Sequence, residues 1–171
     1  ALGILVNSSS PWRETALEAF ERRFRDEPLV MDKWFSLQAT MHRQPGDPPV
    51  LERVLKLMDH PSFSIRNPNK VRALVGAFCN GNPAEFHAAD GSGYAFWGEM
   101  VACIDSLNPQ LAARLARAMD RWRKFDPARQ SAMLEAVRRL QASAQLSPDL
   151  REILGRTLAD AEPKDRSSET T

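Results

Sequence analysis

The sequence predicts an all-α fold of about eight or nine helices, paired as antiparallel hairpins and stacked as an α-α superhelix. Three observations predict it. The 171 residues include 22 Ala and 18 Leu, good helix formers, against 17 of the strand-preferring Val, Ile and Thr. Seven of the 12 prolines follow Ser, Asn or Asp, the chemistry of a helix start. The short polar side chain accepts from orphan N–H groups, and proline takes the first helical position, where its missing donor does no harm. Apolar residues recur every three or four positions, marking one-sided helices that need neighbours. Asn80-Gly81 and Asp90-Gly91 fall between helix-like segments rather than alternating apolar runs, so β-hairpins are not expected.

Each element has its own start signal. Ser10-Pro11 opens a helix over 11–26 with the stripe Trp12, Ala16, Phe20 and Phe24, and Pro28 opens the next over 28–41. Asp47-Pro48 opens 48–59 and Asn67-Pro68 opens 68–79. Asn82-Pro83 starts a short helix over 83–88, with Asn82 and Glu85 at the spacing of a capping box. A helix over 93–107 comes after the Gly91-Ser92-Gly93 loop. Asn108-Pro109 opens 109–124, with Leu111, Leu115, Met119 and Trp122 on one face. Asp126-Pro127 opens 127–143, with Met133, Val137, Leu140 and Ala144. Ser147-Pro148 opens 148–160, with Leu150, Ile153, Leu154, Thr157 and Leu158. The short connections make successive helices antiparallel. Such a string either closes into a bundle or stacks into a solenoid. No fixed period supports a named repeat. Residues 1–161 read as one helical domain and 162–171 as a disordered polar tail. The chain opens without Met inside the apolar segment Leu2 to Val6, as a fragment of a larger protein would. Such a fragment is expected to expose an apolar patch where its neighbour normally sits.

Composition excludes several classes. Net charge is +1, so global attraction to nucleic acid or an acidic membrane is not expected. No apolar run approaches the ~20 residues of a membrane span. The first residues lack the basic flank of a signal peptide. Two cysteines, Cys79 and Cys103, cannot build a disulfide scaffold and read as small core residues. A reducing, cytoplasmic compartment is expected.

Familiar catalytic motifs are missing. His42, His60 and His87 are the only histidines, and none forms an H-E-x-x-H pair. Gly91-Ser92-Gly93 starts like a dinucleotide fingerprint, but Phe96 stands at the sixth position and no strand precedes it. His87, Asp90 and Ser92 hold the residue types of a hydrolytic triad, yet their closeness in sequence favours a local capping network. Two basic clusters remain. One is Arg66, Lys70 and Arg72; the other is Arg114, Arg117, Arg121, Arg123, Lys124 and Arg129. The second, a stripe over 108–130, could hold phosphates; the favoured reading is a solvated helix face, or one paired with carboxylates elsewhere. A third role is a carboxylate received by one or two of these arginines in a groove.

Three long runs carry a family resemblance: Met31-Asp32-Lys33-Trp34-Phe35-Ser36-Leu37-Gln38-Ala39, then His60-Pro61-Ser62-Phe63-Ser64-Ile65-Arg66-Asn67-Pro68-Asn69-Lys70-Val71-Arg72 and on to Phe78, then Asn82-Pro83-Ala84-Glu85-Phe86-His87 and on to Tyr94. They resemble the C-terminal domain of bacterial aminopeptidase N, a family of zinc metallopeptidases of the H-E-x-x-H kind, over roughly residues 11 to 160. The resemblance implies a helical superhelix that packs on an upstream catalytic domain and roofs its active site, with peptide substrate passing through an internal cavity. It implies that the zinc, its ligands and the general base lie upstream, so that this chain has no catalytic or metal-binding residue and no cofactor of its own. By the same resemblance, Arg72, two residues beyond Asn69-Lys70, and Arg114, six beyond Asn108, face the substrate cavity. The alternative for each arginine is a salt bridge to a helix-end carboxylate. Two other functions stay open: a stand-alone solenoid module that receives a protein or peptide, and nucleic-acid binding by the Arg114–Arg129 stripe.

Overall fold

The computed structural model describes residues 2–143 and 145–161. All of its regular structure is helical, with no strand among the described residues. The elements are α1 (Leu2–Val6), α2 (Arg13–Phe24), α3 (Pro28–Ala39), α4 (Val50–Met58) and α5 (Pro68–Val71). A π-helix (Arg72–Gly76) joins α5 to α6 (Ala77–Gly81), and α7 (Pro83–Phe86) and α8 (Ser92–Asp105) come next. After α9 (Pro109–Ala116) come two 3-10 turns, Arg117–Met119 and Trp122–Lys124, then α10 (Pro127–Gln141) and α11 (Pro148–Ala159). The polar stretch 162–171 and Ala144 lie outside the described residues.

The proline-led starts divide into two kinds. Asn67, Asn108, Asp126 and Ser147 cap their helices through the side chain, accepting from Asn69, Leu111, Arg129 and Leu150 backbone N–H groups. The others do different work. Asp47 caps nothing, and α4 begins two residues beyond Pro48. Ser10 accepts from the backbone N–H of Trp12, and α2 begins at Arg13. Asn82 turns its amide inward, donating to the carbonyls of Ala39 and Met41 at 3.0 and 3.1 Å. Glu85 therefore closes no capping box; its carboxylate accepts from the N–H of Val50 at 2.8 Å, the first residue of α4.

Two segments expected as single helices are broken. The 68–79 segment passes through the π-helix at Arg72, and the 109–124 segment relaxes into 3-10 turns after Ala116. Sequence periodicity does not register such local changes of winding. Leu2–Val6, read only as apolar chain, is a short helix.

The described residues form two compact units, one up to Phe96 and one from Trp97 on, with α8 running through the boundary. The core of the first is aromatic. Trp34 and Phe35 pack with His60 and Phe63, and Trp34 donates from its indole to the Leu17 carbonyl at 3.0 Å. A second aromatic group joins Phe78, Phe86, Tyr94 and Phe96. In the second unit the indole of buried Trp97 donates to the Leu115 carbonyl at 3.0 Å. Met119, Met133, Val137, Leu150 and Leu154 are buried in that unit as well. Each indole thereby keeps its one polar group satisfied while its rings stay dry.

The stripe expected to be the core face of α2 is not. Leu17 is its one buried residue, Phe20 and Phe24 are half-buried against each other, and Trp12 is 69% exposed. Cys79 is buried as expected, and Cys103 is exposed on α8. Ile4, Leu29, Leu55 and Leu107 are further large apolar side chains open to solvent.

Candidate functional site

Arg72 opens the π-helix and projects to solvent from an element whose next three residues, Ala73, Leu74 and Val75, are buried. Its position is fixed locally. Asn67 caps α5, which sets the turn, and Arg72 then donates from Nη1 to the side-chain oxygen of Asn69 at 2.9 Å. Arg114 stands in the last turn of α9, where a cation suits the helix dipole, and is exposed. No ion pair or side-chain hydrogen bond holds its guanidinium among the described residues. Among the described residues neither arginine forms the alternative, a salt bridge to a helix-end carboxylate. Each arginine presents a planar fork without an anion, the group that binds a carboxylate in bidentate fashion. Arg72 belongs to the first unit and Arg114 to the second.

Neither basic cluster survives as a patch. Lys70 is buried, its Nζ 2.7 Å from Asp32, donating to the Pro28 carbonyl at 3.0 Å and lying over the Phe35 ring. It is a core ion pair and leaves nothing for a phosphate. In the second cluster the α-helix ends at Ala116, so the cations are not carried by one continuous helix. Arg123 lies over Trp122 and bonds Asp160, and Arg129 pairs with Asp126 at 2.7 Å.

The triad residue types also separate. His87 Nδ1 bonds the Tyr94 hydroxyl at 2.9 Å, while Asp90 accepts from the backbone N–H and hydroxyl of Ser92. Those two donors hold the Asp90 carboxyl below its usual range. Gly91 takes a φ of +72°, and a Cβ on Gly93 would lie 2.2 Å from the Phe86 carbonyl oxygen. The loop is thus a turn that glycine permits, and no nucleophile is activated in it. Cys79 is equally inert, since burial pushes its thiol up.

Three buried or half-buried polar contacts escape sequence reading. Arg13 grips Asp47 with both Nη groups at 2.7 and 2.8 Å. That bond and the Gln44 backbone N–H hold the Asp47 carboxyl down to about 2. Arg53 bonds Glu14 and Gln38, tying α4 to α2 and α3. Asp105, buried at the end of α8, accepts from the backbone N–H and hydroxyl of Ser147. Partners 15 to 42 residues apart leave no local signal. The cleft beside Arg13, Asp47 and Arg53 holds about 20 Å³, room for little more than a water.

No three of His, Cys, Asp and Glu come together as a metal site among the described residues, and nothing in the described chain fits a catalytic zinc. No helix is long and apolar enough to cross a membrane among the described residues. What the geometry defines is a helical scaffold on which Arg72 and Arg114 meet no anion among the described residues.

The chain belongs to the family described as a domain of unknown function (DUF3458_C) with ARM repeats, whose model matches residues 1–159. The ARM repeats in that description agree with the all-helical chain, although no fixed sequence period announces a repeat. The chain is 42% identical over 159 residues to aminopeptidase N of Escherichia coli (strain K12), covering 93% of this chain and 18% of that protein. It is 43% identical over 158 residues to aminopeptidase N of Haemophilus influenzae, covering 92% and 18%. Among solved structures, Legionella pneumophila aminopeptidase A in complex with aspartic acid matches with a TM-score of 0.84 at 35% identity, over 93% of this chain and 18% of that one. The chain thus spans under a fifth of the length of these relatives. In aminopeptidase N the part it matches is the C-terminal region.

Proposed function

We propose that this chain is the non-catalytic C-terminal helical domain of a zinc aminopeptidase that removes N-terminal residues from peptides. It roofs the active site and lines the cavity through which substrate passes. The observation that carries the reading is the 42% identity to the C-terminal region of aminopeptidase N over 159 residues. Zinc, its ligands and the general base are assigned to the upstream catalytic domain, the chain's constant partner. A cytoplasmic location, and no nucleic-acid or membrane partner, accompany this reading.

Within it, Arg72 and Arg114 each offer the substrate cavity a cation able to attract the C-terminal carboxylate of a short peptide. A guanidinium facing a cavity of low water content attracts a carboxylate more strongly than one in bulk water. It orients the peptide and leaves bond breaking to others. The unpaired state of Arg114 and the neutral partner of Arg72 support the assignment, because neither cation is already neutralised.

The reading is tested by assaying full-length parent protein and the 171-residue chain side by side on peptides with a free amino terminus, with metal content measured for both. Activity and stoichiometric zinc in the parent, with neither in the chain, is the expected result. Hydrolysis or tightly held zinc in the chain alone contradicts it.

A further inference from the structure

The chain between α5 and α6 winds through one widened turn, and that turn decides where Arg72 points. In a continuous α-helix a residue seven positions on returns to within about 20° of the same face. Arg72 would then share a face with Cys79, and Val75 would stand beside it; both are buried. The π-helix over Arg72–Gly76 accommodates one extra residue, which rotates Arg72 by about 100° relative to α6. Arg72 is accordingly exposed, although Val71, Ala73, Leu74 and Val75 around it are buried. An arginine turned onto Cys79 would bury a charge without a partner, so the winding and the outward course of Arg72 go together.

A widened turn deprives one carbonyl of its α-helical partner. The N–H of Ala77 reaches back five residues to the Arg72 carbonyl and three to that of Leu74. It passes over the carbonyl of Ala73, four residues back, which an α-helix would give it. Ala73 is buried, so water is no ready substitute for that bond. Another helix meets the carbonyl instead: the hydroxyl of Ser36 on α3 donates to it at 2.9 Å. The hydroxyl shares its one hydrogen with the Asp32 carbonyl, one turn back on α3, at 3.0 Å.

We propose that Ser36 is a positioning residue for Arg72: its hydroxyl holds the Ala73 carbonyl that the widened turn frees, and so keeps the winding that turns Arg72 outward. The inference rests on the reading of Arg72 as a cation of the substrate cavity. Without the hydroxyl, the Ala77 N–H gains by taking the Ala73 carbonyl, as in an α-helix. The extra residue then moves to Arg72, whose side chain swings toward the buried side. Ser36 touches no substrate and acts through the direction of Arg72 alone.

The test compares the full-length parent with its Ser36→Ala and Ser36→Thr variants, the second of which keeps a hydroxyl, and repeats Ser36→Ala in an Arg72→Ala background. If Ser36→Ala fails to fold, Ser36→Cys, whose thiol is a weak donor, takes its place. Phenylglyoxal, which modifies guanidinium groups, reports the exposure of Arg72 through the mass of the peptide that carries it. Kinetics report the ratio of kcat/KM for a tripeptide to that for its C-terminal amide. Ser36→Ala should slow modification of Arg72 severalfold and lower the ratio about three- to fivefold, through KM with kcat kept. Ser36→Thr should restore both, and Ser36→Ala should lower the ratio no further once Arg72 is gone. Arg72 modified at the wild-type rate in Ser36→Ala overturns the proposal even where Tm falls, since a merely structural hydroxyl would do that much. An unchanged ratio in Ser36→Ala, where Arg72→Ala lowers it, overturns it as well. Arg72→Ala with the wild-type ratio overturns the cavity reading alone, and the modification rate then decides for or against Ser36.

Discussion

Arg72 donates from one arm of its guanidinium to the side-chain oxygen of Asn69, three residues back, at 2.9 Å. The partner is neutral, so the arginine is steered without being neutralised, and its other arm remains for an incoming anion. Arg72→Ala in the full-length enzyme should raise KM for di- and tripeptides about five- to tenfold, roughly 1–1.4 kcal/mol of binding, with kcat little changed. Asn69→Ala should give a smaller rise in the same direction. Initial-rate kinetics check both, and equal KM values for wild type and Arg72→Ala remove Arg72 from the site.

Arg13 and Asp47 clamp the 42–49 loop to α2. Asp47 is held near 2, below its ordinary 3.8, chiefly by Arg13. A carboxyl depressed in the folded state contributes stability above its unfolded pKa and loses it as pH falls through the folded value. Wild type should therefore exceed Asp47→Asn in Tm by a constant margin above about pH 4. That margin should vanish between about pH 4 and 2. Because both side chains are partly solvated, the effect at neutral pH should be about 1 kcal/mol. Parallel thermal melts across that range check it.

Asp105 holds the start of α11 through two donors of Ser147, at 2.6 and 2.5 Å. Asp105→Ala removes the acceptor of a part-buried backbone N–H, which should cost about 1–2 kcal/mol. Hydrogen exchange should speed up first across 148–159, the segment that loses its anchor, while 13–39 keeps its protection.

Gly93 has the Phe86 carbonyl oxygen 2.2 Å from where a Cβ would sit. Backbone, unlike a flexible side-chain tip, cannot move aside cheaply. Gly93→Ala should destabilise by about 2–3 kcal/mol, whereas Gly98→Ala, with open space around it, should gain a few tenths through helix propensity. Denaturant midpoints of the two variants give the comparison.

The sequence showed most of the helices because their signals are local. Asn67, Asn108, Asp126 and Ser147 sit beside prolines and cap the helices those prolines begin. The same dipeptide misled at Asp47 and Asn82, since Arg13, 34 residues away, and the Ala39 and Met41 carbonyls, more than 40 away, compete for those side chains. Lys70 read as a member of a basic patch because nothing nearby reveals Asp32. Trp12 read as core because periodicity reports that a helix has an apolar stripe and not whether a neighbour covers it. Both arginines proposed for the cavity came from family resemblance. Composition alone could not rank Arg72 or Arg114 above Arg66 or Arg117.

The role of these two arginines is tested most directly with one tripeptide and its C-terminal amide, which differ by the carboxylate alone. The ratio of kcat/KM for the acid to that for the amide is measured in the full-length enzyme and in its Arg72→Ala/Arg114→Ala double variant. The account predicts that wild type favours the acid and that the double variant loses that preference, the ratio falling about tenfold or more, roughly 1.4 kcal/mol. An acid-to-amide ratio identical in the two proteins would contradict it.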